Sequence, residues 1–154
     1  MTQKADQFPS LSALLREGLG DALQPTGDSF LDLMTDDIDF EFPFFIPGGI
    51  KKIEGRQALA EYLPKVGELF TIESMTLDRS ILSSDGRHGV LEFTSKAYAN
   101  DTHRRYDQTY ISVVDIRDGL IRRYRDYWNP LIVLSATGGA QSVNSMLQGD
   151  TANG

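Results

Sequence analysis

The chain has 154 residues, 40% hydrophobic and 24% charged, which suits one globular domain with a core of its own. It has no cysteine and only two histidines, His88 and His103, so disulfides and thiolate catalysis are excluded and no metal-ligand set is visible. A formal net charge of −7 opposes nucleic-acid binding. No apolar run approaches the ~20 residues of a membrane span, and a cytoplasmic protein is expected.

Residues 1–8 are polar and read as a flexible N-terminus. Ser10 can cap a helix over roughly 11–23, with Leu11, Leu14, Leu15, Leu19 and Leu23 near helical spacing. Gly18 and Gly20 weaken that helix and Pro25 ends it. A second helix is expected after Asp28, with Phe30, Leu31 and Met34 as its stripe. The period then becomes two: Ile38, Phe40, Phe42 and Phe44 face one way, and Asp37, Asp39 and Glu41 the other. Pro43 argues for an edge strand or a bulge. Lys51–Glu54 reads as a short strand. Gly55 introduces a helix with Ala58, Leu59, Tyr62, Leu63 and Val66 on one side, which Pro64 should kink or shorten.

From Thr71 to Asn129 the pattern is that of antiparallel sheet. Strands are expected over 72–82, 88–99, 105–117 and 120–128, joined by turns at Ser84–Arg87, Asn100–Asp101 and Asp118–Gly119. Residues 136–154 are rich in Gly, Ser, Asn, Gln and Thr and read as a disordered tail. The whole describes an α+β domain over 9–135, a curved and mostly antiparallel sheet wrapped on N-terminal helices as a cone-shaped α+β barrel.

The last strand carries the chemistry. Alternation puts Tyr124, Asp126 and Trp128 on one face and Arg123, Arg125 and Tyr127 on the other. One carboxylate between two large aromatics is how a small enzyme sets a proton-transfer group against an apolar substrate. The same spacing also fits a satisfied, partly exposed aspartate among core aromatics. His88 and His103 sit beside turns and read as exposed. Arg122 and Arg123, like Arg104 and Arg105, are expected to pair with Asp and Glu. Ile111 and Val113 share the outer face with Arg123, Arg125 and Tyr127, which suits a homodimer through that face.

The element order from Leu11 to Leu134 resembles the nuclear-transport-factor-2-like superfamily, in its SnoaL-like and ketosteroid isomerase-like branch. The signatures are Thr35-Asp36-Asp37, Ile53-Glu54-Gly55-Arg56-Gln57-Ala58-Leu59, and the run from Asp118 to Leu131. Asn129-Pro130 is similar to the ending of phenazine A/B proteins. The resemblance matches Asp126 to an acid–base carboxylate, and Tyr124 and Trp128 to cavity-lining positions. It also shows departures. The isomerase base falls on Phe42 and its oxyanion-hole Asp on Ser112. The water ligands of limonene epoxide hydrolase, another member of that superfamily, fall on Phe40 and Phe42, and the phenazine-type His on Tyr62. The implied activity is cofactor-independent acid–base catalysis on a hydrophobic cyclic or polyketide-like molecule. Asp126 and Tyr62 are the catalytic candidates, and Tyr124, Trp128, Ser112, Phe40 and Phe42 the substrate-binding ones. Tyr62 also fits a core tyrosine bonded to backbone. The alternative function is a non-catalytic binding or dimerisation module of the same fold.

Overall fold

A computed structural model describes residues 8–148; the residues before and after, including most of the expected flexible N-terminus and the end of the tail, lie outside the described residues. Helix α1 (Pro9–Leu19) starts with Pro at its first position, where the missing N–H has no partner to lose. Phe8, not Ser10, takes the cap position. Gly20 at φ 51 ends the helix, and a 3-10 turn, Gly20–Ala22, replaces its expected last turn. Gly18, which looks like a weak point in the sequence, is a close approach: a Cβ there would lie 2.4 Å from Leu91 Cδ2.

The second helix does not form. Only a 3-10 turn, Leu31–Leu33, precedes strand β1 (Met34–Glu41). Asp32, not Asp28, organises this segment by accepting the N–H groups of Asp28 and Ser29 at 3.3 and 3.2 Å. Arg16 donates to the carbonyls of Gln24 at 2.7 Å and Thr26 at 3.0 Å, and also to that of Gly27. Phe30, Leu33 and Met34 are buried, so tertiary anchoring overrides the helical stripe.

Strand β2 (Lys52–Glu54) is followed by α2 (Arg56–Leu69), which carries Pro64 in its interior and still runs to Leu69. Leu59 and Leu63, both buried, hold this helix on the sheet. Then come β3 (Phe70–Leu82), β4 (His88–Ala99), β5 (Gln108–Arg117) and β6 (Leu120–Tyr127). The strands form one curved sheet in the order β2-β1-β6-β5-β4-β3. Every pairing is antiparallel except β1 with β6, which is parallel. β1 therefore lies inside the sheet, and the edge-strand reading of Pro43 is corrected. The ladder stops at Glu41, Pro43 falls beyond it, and Phe44 and Phe45 end up 56% and 41% exposed rather than in the core. The register slips twice between β3 and β4 and once between β5 and β6. Such bulges bend and twist strands, as a cone requires.

The outer face is laced by ion pairs. Glu41 holds Arg123 at 3.1 Å and Arg125 at 3.0 Å, and Arg122 bridges Asp37 and Asp39, each at 3.2 Å. Arg105 pairs with Glu73 and Asp107. His88 meets Asp115 at 2.8 Å and, like His103, is exposed.

The largest correction concerns the tail. Residues 130–148 form two helices, α3 (Pro130–Thr137) and α4 (Ala140–Gln148). Asn129 caps α3, its Oδ1 accepting the Leu131 N–H at 3.0 Å, with Pro130 at the first position and Gly138 at φ 90 ending it. The polar composition of α4 hides a minimal apolar stripe, Val143 and Leu147 four residues apart. Val143 is fully buried, and Asn144 donates to the Pro47 carbonyl at 3.0 Å. Val143→Asp is expected to cost on the order of 3 kcal/mol by burying an unpaired carboxylate. Denaturant unfolding checks this, and an unchanged midpoint would show that α4 does not seal the core.

Candidate active site

The inner face of the sheet, α1, α2 and the α3–α4 pair line a half-open cavity of about 110 Å³. Strand β6 delivers Tyr124 and Asp126 to it, and Trp128 follows one residue beyond the strand. Simple alternation carried backwards would put Arg122 inside. The bulge between β5 and β6 prevents this, pairing Asp115 with Arg123 and Ile116 with Ile121. Arg122 is the extra residue and turns out to Asp37 and Asp39. The bulge keeps guanidinium charge out of the cavity.

Phe40 stacks on Tyr124 with centroids 4.6 Å apart, and Phe42 leans on Tyr62 and Trp128 at 5.9 and 6.2 Å. Phe40, Phe42, Tyr62, Tyr124, Asp126 and Trp128 all line the cavity. Ser112 does not. It is fully buried directly across from Asp126 in register, and its Oγ lies 2.6 Å from the Tyr124 hydroxyl. That contact makes it a support for Tyr124 rather than a wall of the pocket.

Asp126 is the unusual group. Its Oδ1 is buried without a hydrogen-bond partner. Burial alone pushes its carboxyl up from 3.8 to about 7. The residue as a whole keeps some accessible surface, but the buried Oδ1 bears the desolvation. Tyr62 faces the same space from α2. Burial first, and then the negative charge of Asp126, raise its phenol above the usual range, so it stays a hydrogen donor.

Two further tyrosines line the cavity that sequence reasoning did not pick out, Tyr106 and Tyr110. Their hydroxyls are 3.3 Å apart, and burial raises both phenols, with Asp126 adding to each. Tyr110 was readable, because it shares the inward parity of Ser112 on β5. Tyr106 has the same parity in the expected strand over 105–117; it lies just before β5 as formed and stacks on Phe70 at 3.9 Å.

Gln108 holds the far end of the site. Its amide donates to the Asn129 carbonyl at 3.1 Å and accepts the Asn129 N–H at 3.0 Å, next to Trp128. Gln108 is itself buried. Gln108→Leu should leave both backbone groups unsatisfied and cost about 2–4 kcal/mol. The chain has one tryptophan, so its fluorescence reports directly on the displaced Trp128. An unshifted spectrum with unchanged stability would rule the clamp out.

N-terminal helices on a six-stranded, curved and unclosed sheet form the nuclear-transport-factor-2-like fold. The SnoaL-like domain family model matches residues 21–124, and the chain belongs to that family. The matched stretch ends two residues before Asp126, so the family match does not itself carry the carboxylate. The chain is 35% identical over 135 residues to the protein YesE of Bacillus subtilis, covering 88% of this chain and 92% of YesE. It is 33% identical over 129 residues to a PhzA/B-like protein of Pseudomonas aeruginosa, covering 82% and 91%. A solved Bacillus subtilis structure that carries the provisional name isomerase is 34% identical, covers 88% of this chain and 98% of its own, and superposes with a TM-score of 0.71. Among the described residues no helix is long and apolar enough to cross a membrane.

Proposed function

We propose that this protein is a cofactor-independent acid–base enzyme of the isomerase or cyclase type, acting on a hydrophobic cyclic molecule beside a carbonyl group. The observation that carries this reading is Asp126, an inward carboxyl without a partner at Oδ1, with its affinity for protons moved to about 7. A group poised near working pH can both take and return a proton. Ionised Asp126 removes a proton from carbon next to the carbonyl. The carbonyl gains enolate character, Tyr62 donates a hydrogen bond to the developing oxyanion, and Asp126 returns the proton elsewhere on the product. Tyr124, Trp128, Phe40 and Phe42 hold the ring and exclude water. The provisional isomerase name of the similar Bacillus subtilis structure is in line with this chemistry. The reaction is measured as solvent deuterium uptake into small cyclic ketones. Wild type should accelerate exchange and Asp126→Asn should not; equal rates in the two would remove the proposal.

A second copy of the chain is the partner this reading includes. On the outer face Ile111 and Ile81 are 41% and 52% exposed, in line with the flanking pairs of Val113 with Arg125 and Val90 with Ile81. Exposed apolar side chains set among charges suit a two-fold interface. Sedimentation at tens of micromolar, roughly where weak dimers dissociate, should show a dimer, and a monomer there contradicts it.

A further inference from the structure

Among the described residues, two polar atoms of the cavity lining are buried without a hydrogen-bond partner: Asp126 Oδ1 and Trp128 Nε1. The remaining polar groups are differently placed. The Tyr124 hydroxyl is engaged by Ser112 and those of Tyr106 and Tyr110 by each other, while the Tyr62 hydroxyl faces the cavity as a second donor. Among the described residues no Lys, Arg or His lines the cavity, so nothing there compensates an anionic ligand. An indole N–H can only donate, and a buried donor left unmade is costly. Asp126 and Trp128 are two residues apart on one face, so their Cα atoms stand on the order of 7 Å apart, about the span of a substituted ring. The cavity volume of about 110 Å³ is below that of an apolar cavity of about 150 Å³ that takes benzene, which sets one ring as the upper limit.

We infer that the site takes a neutral, single-ring carbonyl compound, and that the Trp128 indole N–H joins the Tyr62 hydroxyl as a second donor to its carbonyl oxygen while Asp126 faces its exchangeable proton. Trp128 is thus a specificity-determining group and not only an apolar wall. It selects against the hydrocarbon of the same shape, and the cavity selects against fused rings. The inference rests on the acid–base reading for the role of Asp126, but recognition by Trp128 is read by binding alone.

Because Trp128 is the only tryptophan, a ¹⁵N-labelled sample gives one indole N–H resonance that belongs to the site. The probes are 2-cyclohexen-1-one, cyclohexene and the two-ring ketone 1-tetralone, titrated into wild type, Trp128→Phe and Asp126→Asn. In wild type the cyclohexenone should move the indole proton downfield and bind at least about tenfold more tightly than cyclohexene, the worth of one hydrogen bond. Trp128→Phe should lower that preference while binding cyclohexene as before, and tetralone should bind more weakly than cyclohexenone. An unmoved indole resonance at saturating cyclohexenone, an undiminished preference in Trp128→Phe, tighter binding of tetralone, or no binding of either monocycle at millimolar concentration would each overturn the inference. The wild-type resonance decides the matter even if Trp128→Phe fails to fold. Asp126→Asn should keep the indole shift. Intact ketone binding without deuterium exchange in wild type would sink the acid–base reading and leave this one standing.

Discussion

Asp126→Asn is expected to abolish turnover and, above neutral pH, to make the protein more stable. Asparagine keeps the size of the side chain and an acceptor but cannot carry the proton, so the loss should be on the order of 10²–10⁴-fold. The stability effect has a definite sign. Burial raises the native carboxyl to about 7 from 3.8. Between those values the folded protein holds a proton that the unfolded chain releases. The contribution is therefore fully present below about pH 4 and is lost as pH rises through about 7. At about 1.4 kcal/mol per unit, the loss reaches at most about 4 kcal/mol at pH 8. Asn has no such dependence. Wild type should lose stability from pH 4 to 8 relative to the mutant, with the two curves separating by roughly 2–4 kcal/mol at the alkaline end. Parallel curves would show that Asp126 is not desolvated. Mutant destabilisation at every pH would show a structural aspartate and favour the binding-module alternative.

Phe40→Ala should have the largest effect on folding among the site residues. Phe40 is buried, stacks on Tyr124, and meets Phe30 edge-on at 6.3 Å and Phe42 at 5.3 Å. Removing its ring from a packed cluster typically costs about 3–5 kcal/mol. The ring also bounds the cavity, so its loss enlarges the space beside Tyr124. Two consequences should appear together: a lower denaturation midpoint, and binding of two-ring ketones that wild type rejects. A loss of stability without any change in ligand size preference would place Phe40 in the core only.

The sequence already showed why Asp126 faces inward, because Trp128 is too large and apolar to prefer water and a strand alternates. It also showed the order of helices and strands, since period-two runs bounded by Gly and Asp turns are local signals. What it hid was non-local. Pro43 looked like an edge because β1's parallel pairing with β6 joins residues some eighty positions apart. The helix after Asp28 failed because Phe30 and Leu33 are buried where they stand, with Asp32 fixing the turn. α4 was invisible because its composition is that of a linker, and only Val143 and Leu147 mark its inner side. At the site, Phe40, Phe42, Tyr62, Tyr124, Asp126 and Trp128 come together around one cavity. Ser112 has the expected inward parity but is fully buried outside the cavity lining, its hydroxyl against that of Tyr124. Tyr106 and Tyr110 share the parity of Ser112 in the expected strand over 105–117 and were passed over although alternation marks them. The bulge at Arg122 is the instructive case: alternation is reliable only up to the first extra residue.

The central claim is that Asp126 is a desolvated carboxyl poised to exchange a proton near neutral pH. The most direct measurement is a ¹³C NMR titration of aspartate-labelled protein, with Asp126→Asn identifying the resonance by its disappearance. The account expects one carboxyl carbon, absent from the mutant, to titrate with a midpoint at about 7 while the surface aspartates titrate in the ordinary range. A midpoint for Asp126 at or below the usual carboxylate value of about 4 would contradict it.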